Sequence, residues 1–180
     1  EIIIFLLGAM TIVEIIDYFN GFYTIKNFIK TRSKKGLLWI FAILAFILSA
    51  IIDNLTATIV LITILQKVIS ARDTRLWFAG LIIVAANAGG AWSPIGDVTT
   101  TMLWIGDKVT TLSLISYVLV PSIICLIIPI GIASFLPAFQ GEIEEIKVDE
   151  GDVGFHKHGA RMLYLGLSAI VFVPVFKTIT

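Results

Sequence analysis

The sequence predicts an all-α polytopic membrane protein with a re-entrant helical hairpin and a discontinuous transmembrane helix. Three observations carry this expectation. Of the 180 residues, 58% are hydrophobic and 14% charged, whereas a soluble domain is about 45–50% apolar and about 25% charged. The apolar residues gather in runs near the length of a membrane span. Two of those runs are interrupted part-way, each at an aspartate, Asp53 and Asp97. The mean hydropathy of +0.99 excludes a secreted disulfide scaffold, a disordered tail and a nucleic-acid-binding domain. Net charge is +0, so no overall field points to a polymeric partner. The single cysteine, Cys125, has no internal disulfide partner and is expected to be a buried apolar thiol. The chain begins inside one apolar run and stops inside another, and is expected to be a fragment of a longer protein.

Residues 1–17 read as the end of a span, with Ile2–Ile16 its apolar part and Glu14 and Asp17 near its close. Residues 18–36 carry Lys26, Lys30, Arg32, Lys34 and Lys35. Phe22, Ile25 and Ile29 recur there at helical spacing, which suits a short helix lying in the membrane interface; an ordinary basic loop fits the same residues.

Residues 37–70 hold two apolar arms of equal length, Leu37–Ile52 and Leu55–Ser70, on either side of Asp53 and Asn54. One continuous helix would be roughly 51 Å long, against a hydrocarbon core of ~30 Å. Lys34 and Lys35 precede the first arm; Lys67, Arg72 and Arg75 attend the end of the second. Basic flanks mark the cytoplasmic side, so both ends belong there. The segment is expected to be a re-entrant hairpin with Asp53 and Asn54 at its tip. Two tightly turned full spans satisfy the same rule, but the arms are short for that.

Residues 76–105 form a broken span. After Leu76–Asn87 the sequence reads Ala88-Gly89-Gly90-Ala91-Trp92-Ser93-Pro94-Ile95-Gly96-Asp97. Paired glycines, a proline and a third glycine are expected to interrupt the helix. The break falls near the bilayer middle, where non-helical backbone survives only inside protein or beside a wet cavity. Val98–Ile105 then completes the crossing, and Gly106–Thr110 makes a short turn. Residues 111–136 return as a span containing Pro121 and Pro129. Residues 137–160 are an acidic loop without calcium-loop spacing, in which His156 and His158 read as solvated. Residues 161–180 start another span. Trp39, Trp77 and Trp104 lie near span ends and suit interface anchoring; Trp92 lies in the break and suits a wall of the site.

Asp53 and Asp97 carry the chemistry. A carboxylate at membrane depth costs at least a few kcal/mol and is a functional hypothesis by default. Each sits at a helix break among amide and hydroxyl residues: Asn54, Thr56 and Thr58 after the first; Asn87 and Ser93 before the second and Thr99, Thr100 and Thr101 after it. Unwound backbone adds carbonyl oxygens. This all-oxygen inventory suits a hard cation such as Na+ or Li+, held by Asp53, Asn54 and Asp97. Half-helix ends at mid-membrane recur as ion sites in secondary transporters. Desolvation and a second acid nearby both favour a protonated carboxyl. Such a pair holds a proton or a metal ion but not both, which is the minimal physics of an antiporter. Helix capping is the structural alternative for either aspartate. Glu14 is a candidate proton relay or a headgroup-level carboxylate.

Three stretches resemble the NhaD-type sodium/proton antiporters of the ion transporter superfamily, which also holds arsenite and anion permeases. They are Gly8-Ala9-Met10-Thr11-Ile12-Val13-Glu14, Asp53-Asn54-Leu55-Thr56-Ala57-Thr58, and Asn87-Ala88-Gly89-Gly90 through Ser93-Pro94-Ile95-Gly96-Asp97. The resemblance covers nearly the whole chain. It implies that Asp53, Asn54 and Thr56 occupy the hairpin tip, and that Gly89, Gly90, Ser93, Pro94 and Asp97 occupy the break, the two elements building one sodium site. Superfamily relatives carry Ser-Asn-Thr at the tip; Asp53 in the first position favours a cation antiporter over a sodium–dicarboxylate carrier. The resemblance further implies a second, inverted half of the same protein, a homodimer in the lipid bilayer, no cofactor beyond the transported ions, no enzyme activity and a bacterial inner membrane. The alternative within the same fold is an anion carrier for arsenite or dicarboxylates. An intramembrane aspartyl protease also needs two embedded aspartates, but Pro94 stands where its Gly-x-Gly-Asp pattern needs glycine.

Overall fold

A computed structural model describes residues 31–143 without interruption, together with helical positions at 7, 8, 11, 12, 14–16, 18, 161, 164–166 and 168. Most of the basic segment 18–36, the acidic loop beyond Ile143, His156 and His158 lie outside the described residues.

In the continuous stretch five helices follow in order: α1 (Lys34–Ile52), α2 (Asn54–Val68), α3 (Arg72–Ala91), α4 (Val98–Ile105) and α5 (Thr111–Ala133). A 3-10 turn over Pro137–Phe139 closes it. Among the described residues no strand forms; Ser33 and Glu142 make an isolated antiparallel bridge. α1, α3 and α5 have 19, 20 and 23 residues and are long and apolar enough to cross a membrane. α2 spans 15 residues, about 22 Å.

Side-chain pairs set the directions. Phe41 meets Phe78 edge-on at 6.5 Å between ring centroids, and farther along Ser49 bonds the carbonyl of Ala86. α1 and α3 therefore run parallel. The start of α2 reaches the last turns of α3 through Asn54 and Asn87, while its end joins α3 through the short link Ile69-Ser70-Ala71. α2 is thus antiparallel to both. Trp39 donates to Ser134 at 3.0 Å, and Phe139 lies 5.0 Å from Phe78. The end of α5 accordingly sits beside the starts of α1 and α3. Arg32 and Lys34 pair their backbones with Ile143 and Gly141 on this same side.

Helix breaks follow local chemistry with one revision. The break after α3 begins at Trp92, not at the paired glycines. Gly89 and Gly90 are helical, and their lack of a side chain serves packing. A Cβ on Gly89 would collide with the carbonyl oxygen of Phe46. Ala42, Ala45, Ala85 and Ala86 are also fully buried. Where lipid replaces water, helices associate chiefly by such close approach of small residues. Asn54 likewise begins α2, which leaves Asp53 alone between two helices.

Two further expectations change. Trp104 is buried, 4% exposed, so it packs inside and does not anchor at an interface; Trp39 is tied to Ser134. Cys125 is exposed. α5 buries only the stripe Leu114, Ser122, Leu126, Ile130 and Ala133, and Cys125 stands one position off it. α5 runs helical through Pro121 and Pro129.

Candidate functional site

The site is built where α1 gives way to α2 and α3 to α4. Asp53 joins the first pair with φ 114 and ψ 154. That region is open essentially to glycine alone and costs of order 1–3 kcal/mol for other residues. The carboxylate accepts a hydrogen bond from the Thr56 backbone N–H at 2.8 Å, which satisfies an orphan donor at the start of α2. Asp97 caps α4 in the same way, accepting from the Thr99 N–H at 3.0 Å. Its own backbone carbonyl accepts from the Thr100 and Thr101 hydroxyls at 2.9 and 2.8 Å. Both aspartates are half-buried. Capping engages one carboxylate oxygen of each and leaves the other without a hydrogen bond among the described residues.

The loop after α3 packs on the last turn of α1, and α2 meets α3 beside it. The Asn54 amide donates to Asn87 Oδ1 at 3.0 Å, and Asn87 donates onward to the Ile83 carbonyl at 2.8 Å. Ser49 donates to the Ala86 carbonyl at 2.6 Å. Ser93 donates in the opposite sense, to the Ala50 carbonyl at 2.5 Å. Gly90 and Gly96 lie backbone to backbone: a Cβ on Gly96 would stand 2.8 Å from Gly90 Cα and 2.7 Å from the Ser49 carbonyl oxygen. Residues 91–96 therefore form a tight loop closed at its neck, with Ser93, Pro94 and Ile95 buried inside. Trp92 stacks on Phe46 at 6.2 Å, and its indole N–H is buried without a partner.

The expected residues are thus sorted. Asn54 and Asn87 meet directly, and Gly89, Gly90, Ser93 and Pro94 form the surface that seats the break on α1. Thr56 supplies a backbone N–H to Asp53. Asp53 and Asp97 share no hydrogen bond among the described residues; each is bound to its own helix. Glu14 is exposed on a helical segment and joins none of these contacts. Among the described residues no three His, Cys, Asp or Glu side chains cluster as metal ligands; beside the two carboxylates the oxygens here come from amides, hydroxyls and backbone. Ser49 escaped the sequence reading. Its signal was there: it is the lone hydroxyl in the apolar run before Asp53, one turn away.

The chain is similar in sequence to proteins named as sodium/proton antiporters. Sodium/proton antiporter 1 of Arabidopsis thaliana is 43% identical over 180 residues, covering 100% of this chain and 31% of the relative. Sodium/proton antiporter 2 of the same plant is 39% identical over 186 residues, covering 100% of this chain and 43% of the relative. The Na(+)/H(+) antiporter NhaD of Vibrio cholerae is 33% identical over 179 residues, 98% of this chain and 37% of the relative. The chain therefore spans less than half the length of these relatives. No solved structure shows significant similarity to it. The profile of the family described as citrate transporter, CitMHS, matches residues 1–178. Apolar helices of membrane-crossing length, broken at polar points and matched by one transporter profile almost end to end, leave one conclusion: the chain belongs to the CitMHS citrate transporter family.

Proposed function

We propose that this chain is part of a secondary transporter that exchanges Na+ or Li+ for H+ by alternating access. The contact between Asn54 and Asn87 carries the proposal. It joins the start of α2, which Asp53 caps, to the last turns of α3, while Ser93 ties the loop that leads to Asp97 onto Ala50 at the end of α1. In this reading α1 and α2 are a re-entrant hairpin, and α3 and α4 are the halves of one discontinuous membrane helix. Asp53, Asn54 and Asp97 hold the cation, with Thr56, Asn87, Gly89, Gly90, Ser93 and Pro94 shaping the site. A proton displaces the metal ion at the carboxylates, because one carboxyl group does not hold both. Glu14 is a proton relay. A second, inverted half supplies the rest of the ion path, and two copies associate in the bilayer. The family's description names citrate, but two acids facing one site repel an anion, and the relatives above are named as sodium/proton antiporters. Those relatives come from a plant and from a bacterium, which supports a membrane sustaining an ion gradient; the bacterial inner membrane is one such membrane.

The test uses the full-length protein in everted vesicles. Added Na+ should collapse a preformed pH gradient, and added citrate should not. Normal exchange by both Asp53→Asn and Asp97→Asn would remove the site; citrate uptake without Na+/H+ exchange would support the anion carrier instead.

A further inference from the structure

We infer that Ser93 is a positioning residue for the proposed ion site, a knot that fixes the loop 91–96 against the last turn of α1, and not itself a ligand of the cation. The inference rests on the exchange reading and adds to it a division of labour among the polar residues. Ser93 is 5% exposed. Its hydroxyl proton goes to the Ala50 carbonyl at 2.5 Å, and its oxygen accepts the Ile95 N–H at 3.3 Å. Its own N–H reaches the Gly90 carbonyl at 3.4 Å. One side chain thus ties the loop to itself and to α1.

The placement matters because of what the Ala50 carbonyl is. It belongs to the last turn of α1, whose carbonyls have no partner within the helix. Left unmatched in a buried place, such a group carries its full desolvation penalty. Ser93 satisfies it, and Ser49 returns the same kind of bond to the Ala86 carbonyl from the opposite side. Between these two bonds the Gly96 backbone rests on Ser49 and Gly90, and Asp97 follows directly. Ser93 therefore sets where Asp97 stands relative to Ala50 in the last turn of α1, three residues before Asp53. Removing the hydroxyl frees the loop and lets the two carboxylates drift apart without removing either.

Two measurements on the full-length protein test this. The first is hydrogen–deuterium exchange of the segment 92–97 in Na+-free buffer; the second is the apparent KM for Na+ in vesicles. Ser93→Ala should speed exchange at Ile95 and its neighbours by about tenfold and raise the KM by a similar factor, with Vmax per folded transporter within about twofold of the parent. Ser93→Cys, close in shape but a weaker donor, should fall between the two in both readouts, and it decides the matter if the alanine variant does not fold. A raised KM with unchanged exchange in Na+-free buffer overturns the inference in favour of a direct ligand. Faster exchange with an unchanged KM overturns it in favour of a purely structural role. If the parent protein shows no Na+-dependent exchange of protons, the transport reading fails, and the Ser93 role in ion positioning falls with it; the hydrogen-exchange arm then still reports whether the knot holds the loop.

Discussion

Asn54 donates to Asn87 across 3.0 Å, joining the first residue of α2 to a residue in the last two turns of α3. Asn54 directly follows Asp53, and α3 leads through the loop 92–97 to Asp97, so this bond connects parts of the protein that local sequence leaves separate. A double-mutant cycle with Asn54→Ala and Asn87→Ala should give a coupling energy of about 1 kcal/mol. Thermal unfolding of the four purified proteins measures it, and strictly additive losses would show that the bond does not hold in the folded protein.

Gly89 should tolerate no side chain. Its missing Cβ leaves room for the Phe46 carbonyl, so Gly89→Ala should push α1 from α3 and cost about 1–3 kcal/mol. Gly80 lies in the same helix with nothing within 4 Å of a Cβ. Gly80→Ala should be neutral or stabilising by about 0.5–1 kcal/mol. The melting temperatures of the two variants should therefore move in different directions.

Asp53 separates stability from function. At φ 114 glycine relieves a cost of about 1–3 kcal/mol, whereas replacing a capping side chain by glycine loses only about a few tenths. Asp53→Gly should therefore melt higher than the parent while losing Na+-dependent proton exchange. A less stable Asp53→Gly would mean that the backbone is not held in this region.

Phe139 is fully buried against Phe78 and pins the segment after α5 to the start of α3. Phe139→Ala should cost about 3 kcal/mol or more. Proteolysis should then cut near Gly141 at lower protease concentration than in the parent.

The arrangement of α1, α2 and α3 makes a labelling prediction. In a background with Cys125 replaced, cysteines at Lys34 and at Thr74 should react with an impermeant thiol reagent from the same side of the membrane. Labelling from opposite sides would refute the hairpin reading.

The sequence alone determined the class of protein and most of its helix boundaries. Run length against bilayer thickness and the cost of a carboxylate at depth are properties of local composition. They placed one helix boundary at Asp53 and the start of the short helix α4 at Val98, as in the structure, but ended the helix before it at Asn87, whereas it runs on to Ala91. They did not determine which face of each helix packs. α1 and α5 are apolar nearly all round, so periodicity carries no mark of an inner side. Cys125 was therefore read as buried and Trp104 as an interface anchor. The same blindness made Gly89 and Gly90 look like helix breakers, because a missing side chain reads identically whether it loosens a helix or admits a neighbour. Only the tertiary structure decided that Phe46 fills that space, that Ser49 and Ser93 exchange bonds across it, and that Asn54 meets Asn87. These are contacts between residues tens of positions apart, set by which helices lie side by side.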